Sequence, residues 1–203
     1  MNLGFKAYPC CSSNHGGIEA ALEIGRKYDI KPEQIEEVRV GVVSHSYEVC
    51  GEPIEVKRKP RNVVDAQFSI PYTVACALVK RKVDLGDFTD ESITDPEVLQ
   101  VASRVYPFVD PEMEKEAERK DKPVRVDVRT IGGEMYSAKV IFPKGHPRNQ
   151  MTDEEFEAKF RSCVLFGSKD VSTKKLNNLI CVLRNLEQVD DIRSATGLFQ
   201  LQR

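Results

Sequence analysis

Between His15 and Tyr28 the apolar residues Ile18, Ala21, Leu22 and Ile24 recur at helical spacing, and Lys31-Pro32 closes the segment, which predicts a first helix. Ile35, Val38, Val40, Val42 and Val43 follow as a β-branched run with polar residues interleaved, the mark of a half-buried strand. From Ser44 to Asn62 this patterning lapses into a polar loop. The loop carries the basic run Lys57, Arg58, Lys59 and Arg61, which acidic flanks and the lack of interleaved aromatics mark as solvated. Helical character returns from Ala66 to Val83 through Phe68, Ile70, Tyr72, Val74, Ala75, Leu78 and Val79. Pro71 stands near the first turn, where its missing N–H costs little, so this helix begins close to Ser69.

Asp95-Pro96 opens a third helix through Val98, Leu99 and Ala102, Val105 to Val109 suits a strand, and Glu112 to Lys122 reads as a short exposed helix or a loop. The clearest local signal comes next. Val124, Val126 and Val128 alternate with Arg125, Asp127 and Arg129, and Tyr136, Ala138, Val140 and Phe142 do the same beyond Gly132-Gly133. That is a β-hairpin turning on glycines that accept positive φ. Helices and antiparallel strands mix without regular βαβ alternation, so the expected class is α+β: an antiparallel sheet covered by helices, over about Lys6 to Arg148, followed by a helical C-terminal tail.

Past Pro143 to Asn149 the character changes. Thr152 with Glu155 makes a capping box, and Phe156, Phe160 and Val164 form one helix face. Ser172 caps a helix carrying Leu176, Leu179, Ile180, Leu183 and Leu186, and a last segment holds Ile192, Ala195, Leu198 and Phe199. The expected division is therefore residues 1–148 and residues 149–203, the second part offering more apolar faces than it can bury by itself.

Composition narrows the function classes. With 203 residues, 40% hydrophobic and 31% charged, the chain is long enough for a core. Thirty Lys+Arg against thirty-two Asp+Glu leave a formal net charge of −2, so no global field draws nucleic acid or anionic lipid, and neither partner is expected. No apolar run approaches the roughly 20 residues of a membrane span. Six cysteines without C-x-x-C spacing and without an export signal read as reduced thiols of a cytoplasmic protein.

Candidate chemistry clusters at the start, where Lys6, Cys10, Cys11 and His15 fall within ten residues just ahead of a helix. The plain readings are that Pro9 stiffens an extended segment, the cysteines pack, and His15 satisfies backbone groups. Zinc on Cys10, Cys11, His15 and Cys50 is disfavoured, because adjacent cysteines do not easily supply two tetrahedral ligands. A Cys-His nucleophile pair lacks a nameable orienting residue. With no P-loop or dinucleotide fingerprint either, no cofactor is expected.

Phe5-Lys6-Ala7-Tyr8-Pro9-Cys10-Cys11 with His15 and Ile18-Glu19-Ala20 is similar to the K-x-Y-P-x-C/H-x-x-x-H…A segment of the MmgE/PrpD family. Asp65-Ala66-Gln67-Phe68-Ser69-Ile70-Pro71-Tyr72-Thr73-Val74-Ala75 resembles its A-x-F-S-x-P-Y-x-V-A signature. Pro143-Lys144-Gly145-His146-Pro147-Arg148-Asn149 leading into Thr152-Asp153-Glu154-Glu155, with Lys159-Phe160 in the helix, is a third match. The resemblance covers nearly the whole chain in the family's order. It implies an α+β lid (1–148) and C-terminal helices (149–203) that pack on a helical domain preceding the lid and missing from this chain.

The family's best known reactions act on tricarboxylates, eliminating water from 2-methylcitrate or decarboxylating cis-aconitate without an iron–sulfur cluster. The resemblance therefore implies part of a lyase with a small-molecule tricarboxylate substrate, written here as 2-methylcitrate dehydratase-like, in a homodimer. Lys6 matches the active-site lysine, pairing a carboxylate and stabilising charge in the transition state. Tyr72 matches a tyrosine at the site's edge, able to hydrogen-bond a carboxylate or donate a proton; otherwise it is a core aromatic. His15 would orient substrate or the lysine loop, and Cys11 stands where some relatives have histidine. Ser69 suits helix capping and His146 a solvated loop. The remaining catalytic residues would belong to the helical domain, leaving this chain inactive alone; the rival expectation is a non-catalytic binding or regulatory module derived from the lid.

Overall fold

In the computed structural model, which describes residues 3–118, 121–168 and 171–197, the chain opens with α1 (Ser12–Tyr28), β1 (Ile35–Val42), α2 (Ser44–Cys50), α3 (Ile54–Arg58), α4 (Val63–Gln67) and α5 (Ile70–Lys80). It continues through α6 (Pro96–Ala102), β2 (Val105–Val109), α7 (Pro111–Glu116), β3 (Val124–Thr130) and β4 (Met135–Val140). Last come α8 (Asp153–Gly167), α9 (Thr173–Arg184) and α10 (Ile192–Gly197). Two compact units result, Met1–Gln150 and Met151–Arg203.

Alternation in β3 and β4 does what it predicts. Val124, Val126, Val128 and Thr130 are buried while Arg125, Asp127 and Arg129 stay partly open, and the hairpin turns at Gly133, whose φ is 88°. Strand β1 pairs antiparallel with β3, giving the order β2-β1-β3-β4 among the described residues. One pair departs from the expected antiparallel sheet: β2 runs parallel to β1, with Val38 opposite Val105 and Val42 opposite Val109. The reason is the crossover between them, since the chain passes through α2 to α6 before returning to the sheet, the long connection that parallel pairing requires.

Helix α1 is buried on more than one side. Gly16 and Gly17 let it close on the sheet and on α5, because a Cβ at Gly16 would meet Val124 Cγ2 at 2.8 Å and one at Gly17 would meet Val74 Cγ2 at 3.1 Å. Ile18 and Ile24 are fully enclosed, worth roughly 1.5–3 kcal/mol each by burial. Helix α5 is buried from Ile70 through Leu78. Its N-cap is Ser69, whose Oγ accepts from Tyr72 N at 2.9 Å.

The segment 44–62 is not a loop. It forms α2 and α3, seven and five residues long, too short to declare a period. Its basic run is solvated only at Lys59 and Arg61, which are exposed, and not at Lys57 and Arg58. Lys57 is 8% exposed and donates to Val49 O at 2.9 Å and Phe68 O at 2.7 Å. Arg58 donates to Val105 O at 2.9 Å and lies 4.2 Å over the Tyr106 ring. Both cations hold α3 by its neighbours' carbonyls, a job composition does not reveal.

In the second unit Thr152 and Glu155 form the reciprocal capping box of α8, and Ser172 caps α9. Leu176, Leu179 and Ile180 are buried, whereas α8 buries none of its residues. Leu186 falls beyond α9 in a 3₁₀ turn and is exposed. Leu198 and Phe199 lie outside the described residues.

Candidate active site

Three segments far apart in sequence are tied together by their backbones. Phe5 N donates to Gly145 O at 2.8 Å, which fastens the Lys6 segment to the 143–149 turn. Cys11 N donates to Gln67 O at 2.9 Å, Asn14 Nδ2 donates to the same carbonyl at 3.0 Å, and Gln67 Nε2 donates to Pro9 O at 3.1 Å. The turn is closed from within, as Asn149 Nδ2 donates to Phe142 O at 2.8 Å. Gly145 is required there. Its φ is 86°, and a Cβ would stand 2.0 Å from Phe5 O.

These ties border an open cleft of about 870 Å³, lined by Lys6, Ser12, His15, His146 and Arg148 together with Glu118 and Asp121. A second cleft of about 830 Å³ shares Ser12, Asp121, Pro143 and His146 and adds Lys122. The acids are largely committed. Arg148 pairs with Glu118 at 3.0 Å, and His146 Nε2 meets Asp121 Oδ1 at 3.0 Å while its Nδ1 accepts from Arg148 N at 3.1 Å. His146 also stacks on Phe142 at 4.8 Å, so it is a fixed part of the turn and not the solvated residue expected. Lys6 is exposed and, among the described residues, makes no ion pair. Lys122 donates to Ser12 Oγ at 2.9 Å and Ser13 Oγ at 3.1 Å. The cleft thus keeps ammonium charge available to an anion.

His15 is buried at the cleft wall, with the Tyr8 ring edge-on at 5.3 Å. Cys11 is half-buried at the N-cap of α1. Interaction with Cys50 pulls the Cys11 thiol down from 9.0 to about 5, with Ser13 and the Lys122 ammonium acting the same way against burial. Cys50 moves up, first through its interaction with Cys11 and then because it is buried. Cys10 is pushed up to about 12 by burial. Negative charge in this cluster therefore rests on Cys11. Among the described residues no group of three or more His, Cys, Asp or Glu side chains is arranged to hold a metal ion.

Tyr72 is not brought to this cleft. It is 0% exposed, and its hydroxyl donates to Asp87 O at 2.6 Å, with Ser92 O at 3.2 Å. Burial pushes its phenol well above the ordinary range. The phenol pins the 87–92 loop to α5, so Lys6 and Tyr72 do not converge as expected from the sequence. Reasoning on the sequence missed Gln67 as the clamp and Lys122 as a second cation; neither carries a local signal, because each acts across more than 50 residues.

The MmgE/PrpD C-terminal domain model matches residues 8–180, and the chain belongs to that family. Among its relatives are two cis-aconitate decarboxylases of Aspergillus terreus. One is 25% identical over 199 residues, covering 93% of this chain and 39% of the relative. The other is 23% identical over 202 residues, covering 95% and 40%. The chain thus spans about two-fifths of the length of the curated relatives it matches.

Proposed function

We propose that the Lys6 cleft is the carboxylate-binding part of a lyase active site, and that the complete protein acts on a tricarboxylate. The observation that carries this reading is the junction of the Lys6, Gln67 and Gly145 segments around a cleft with ammonium charge to spare. Lys6 pairs one substrate carboxylate and stabilises the charge that grows beside it as a C–C or C–O bond breaks. His15 and Tyr8 set the wall against which the substrate lies. Cys11, its charge favoured by the Lys122 ammonium, disfavours a second carboxylate on its own side and so orients the substrate. The other wall and the remaining proton-transfer groups come from a helical domain, and the chain alone does not turn over.

The names of the relatives make cis-aconitate the first substrate to try. A 2-methylcitrate-like hydroxy acid, lost as water, is the second. The test is titration of cis-aconitate into isotope-labelled chain, followed by NMR. Lys6→Gln should weaken binding about tenfold or more, as loss of a charge-assisted hydrogen bond of ~1.5–3 kcal/mol requires. Unchanged affinity in that variant would reject Lys6 as the carboxylate partner. Adding the helical domain should then yield decarboxylation or dehydration that Lys6→Gln abolishes.

A further inference from the structure

The second cleft, of about 830 Å³, holds a cation of its own in Lys122. This lysine is half-buried, and its ammonium donates to Ser12 Oγ at 2.9 Å and Ser13 Oγ at 3.1 Å. Both partners are neutral hydroxyls, so they fix the ammonium without cancelling its charge, and one of its three N–H donors is left over. Among the described residues Lys122 makes no ion pair. The two acids lining the same cleft are engaged by other donors: Asp121 Oδ1 meets His146 Nε2 at 3.0 Å, and Glu114 accepts from Ser44 N and Ser44 Oγ. Val43, Ala117 and Pro143 supply apolar wall, against which an ion pair is stronger than in open water.

The two clefts adjoin, because Ser12, Asp121, Pro143 and His146 line both, while Lys6 lines only the first and Lys122 only the second. A ligand lying across the shared residues meets one ammonium in each cleft. We infer that Lys122 is the partner of a second carboxylate on the same ligand, and that the paired clefts select di- and tricarboxylates over monocarboxylates. The inference rests on the proposed reading of the Lys6 cleft as a carboxylate site and adds what that reading lacks, a reason for preferring ligands of higher charge. A monocarboxylate satisfies one ammonium at a time, whereas a polycarboxylate satisfies both without a second loss of translational freedom. Cys11 lines neither cleft, so its charge repels the second carboxylate from the α1 side and leaves the second cleft open to it. Lys122 is thus a specificity residue, fixed in place by the Ser12 and Ser13 hydroxyls.

The test titrates two saturated probes into the isotope-labelled full chain and follows amide shifts by NMR: propane-1,2,3-tricarboxylate and butyrate. In the unmutated chain the tricarboxylate should bind about tenfold or more tighter than butyrate, and it should move the amides of Phe5 and Lys6 together with those of Ser12, Ser13 and Val43 to His45. Lys122→Gln should weaken the tricarboxylate about tenfold or more and butyrate, which can use either ammonium, no more than about twofold. In that variant the shifts at Val43 to His45 should vanish while those at Phe5 and Lys6 remain, and Lys122→Arg should keep most of the preference. The inference is overturned if Lys122→Gln leaves tricarboxylate affinity unchanged or weakens both probes equally. Lys6→Gln answers for the other reading: a tricarboxylate indifferent to it rejects Lys6 as the first carboxylate partner, whatever Lys122 does. Should Lys122→Gln fail to fold, the unmutated chain still decides, since a tricarboxylate that binds without moving Ser12, Ser13 or Val43 to His45 overturns the role of Lys122.

Discussion

Lys57 shows how one residue changes meaning between a composition and a structure. In a run of basic residues it reads as solvated, yet it is buried and satisfies two main-chain carbonyls. Lys57→Ala leaves both unmet inside the fold and should cost about 2–4 kcal/mol in urea unfolding, whereas exposed Lys59→Ala should stay within about 0.5 kcal/mol. Equal effects would restore the solvated reading. Cys11 makes a second residue-scale prediction, through pH. Its thiol titrates at about 5 in the fold against an ordinary 9.0, so between those values the unfolded chain binds one proton more. Stability should rise from about pH 5 to about pH 9 on this account, and be lost as pH falls through 5. Cys50, shifted upward, opposes this only above its ordinary 9.0. The stability difference between the native chain and Cys11→Ser, followed across that window, should carry this slope; a flat difference means the Cys11 charge is not held by the fold.

At the scale of elements the 143–149 turn decides where Lys6 sits, and Gly145 decides the turn. Gly145→Ala adds left-handed strain and a Cβ that collides with Phe5 O, so the Lys6 segment must move. The expected result is a loss of cis-aconitate binding comparable to Lys6→Gln, with only about 1–3 kcal/mol of stability lost. Gly133→Ala is the matched control: its φ is 88°, but nothing lies within 4 Å of the added carbon, so strain appears without any change in binding. Elements with a long period were legible in the sequence, as with the β3–β4 valines and the Ser69-capped α5. Helices α2 and α3 were not, because five to seven residues give two turns at most. The site was half legible. Local motifs name Lys6 and His15, but the interactions of Gln67, Cys50 and Lys122 depend on segments 39 to 110 positions away, and Tyr72 faces main-chain carbonyls that no motif encodes.

For the whole molecule, the two units differ in how their helices are held. In Met1–Gln150, α1 and α5 are enclosed along most of their length, while in Met151–Arg203 α8 buries nothing and α9 buries three residues. Leu165, Phe166, Leu183, Leu186 and Ile192 are all exposed there. Short helices in water are marginal without tertiary burial, so capping by Thr152 and Ser172 offsets only part of the entropy of ordering α8 to α10. Amide exchange should therefore divide along the same line. Protection in α1, β1 and α5 should approach the global stability, while amides of α8 to α10 should open at a free energy at least about 3 kcal/mol lower, and urea should melt them in an earlier transition. If the helical domain invoked for the proposed lyase covers this apolar face, adding it should raise protection in α8 and α9 and leave α5 unchanged. A single cooperative transition in the isolated chain, with α8 as protected as α5, would show that the two units already stabilise each other.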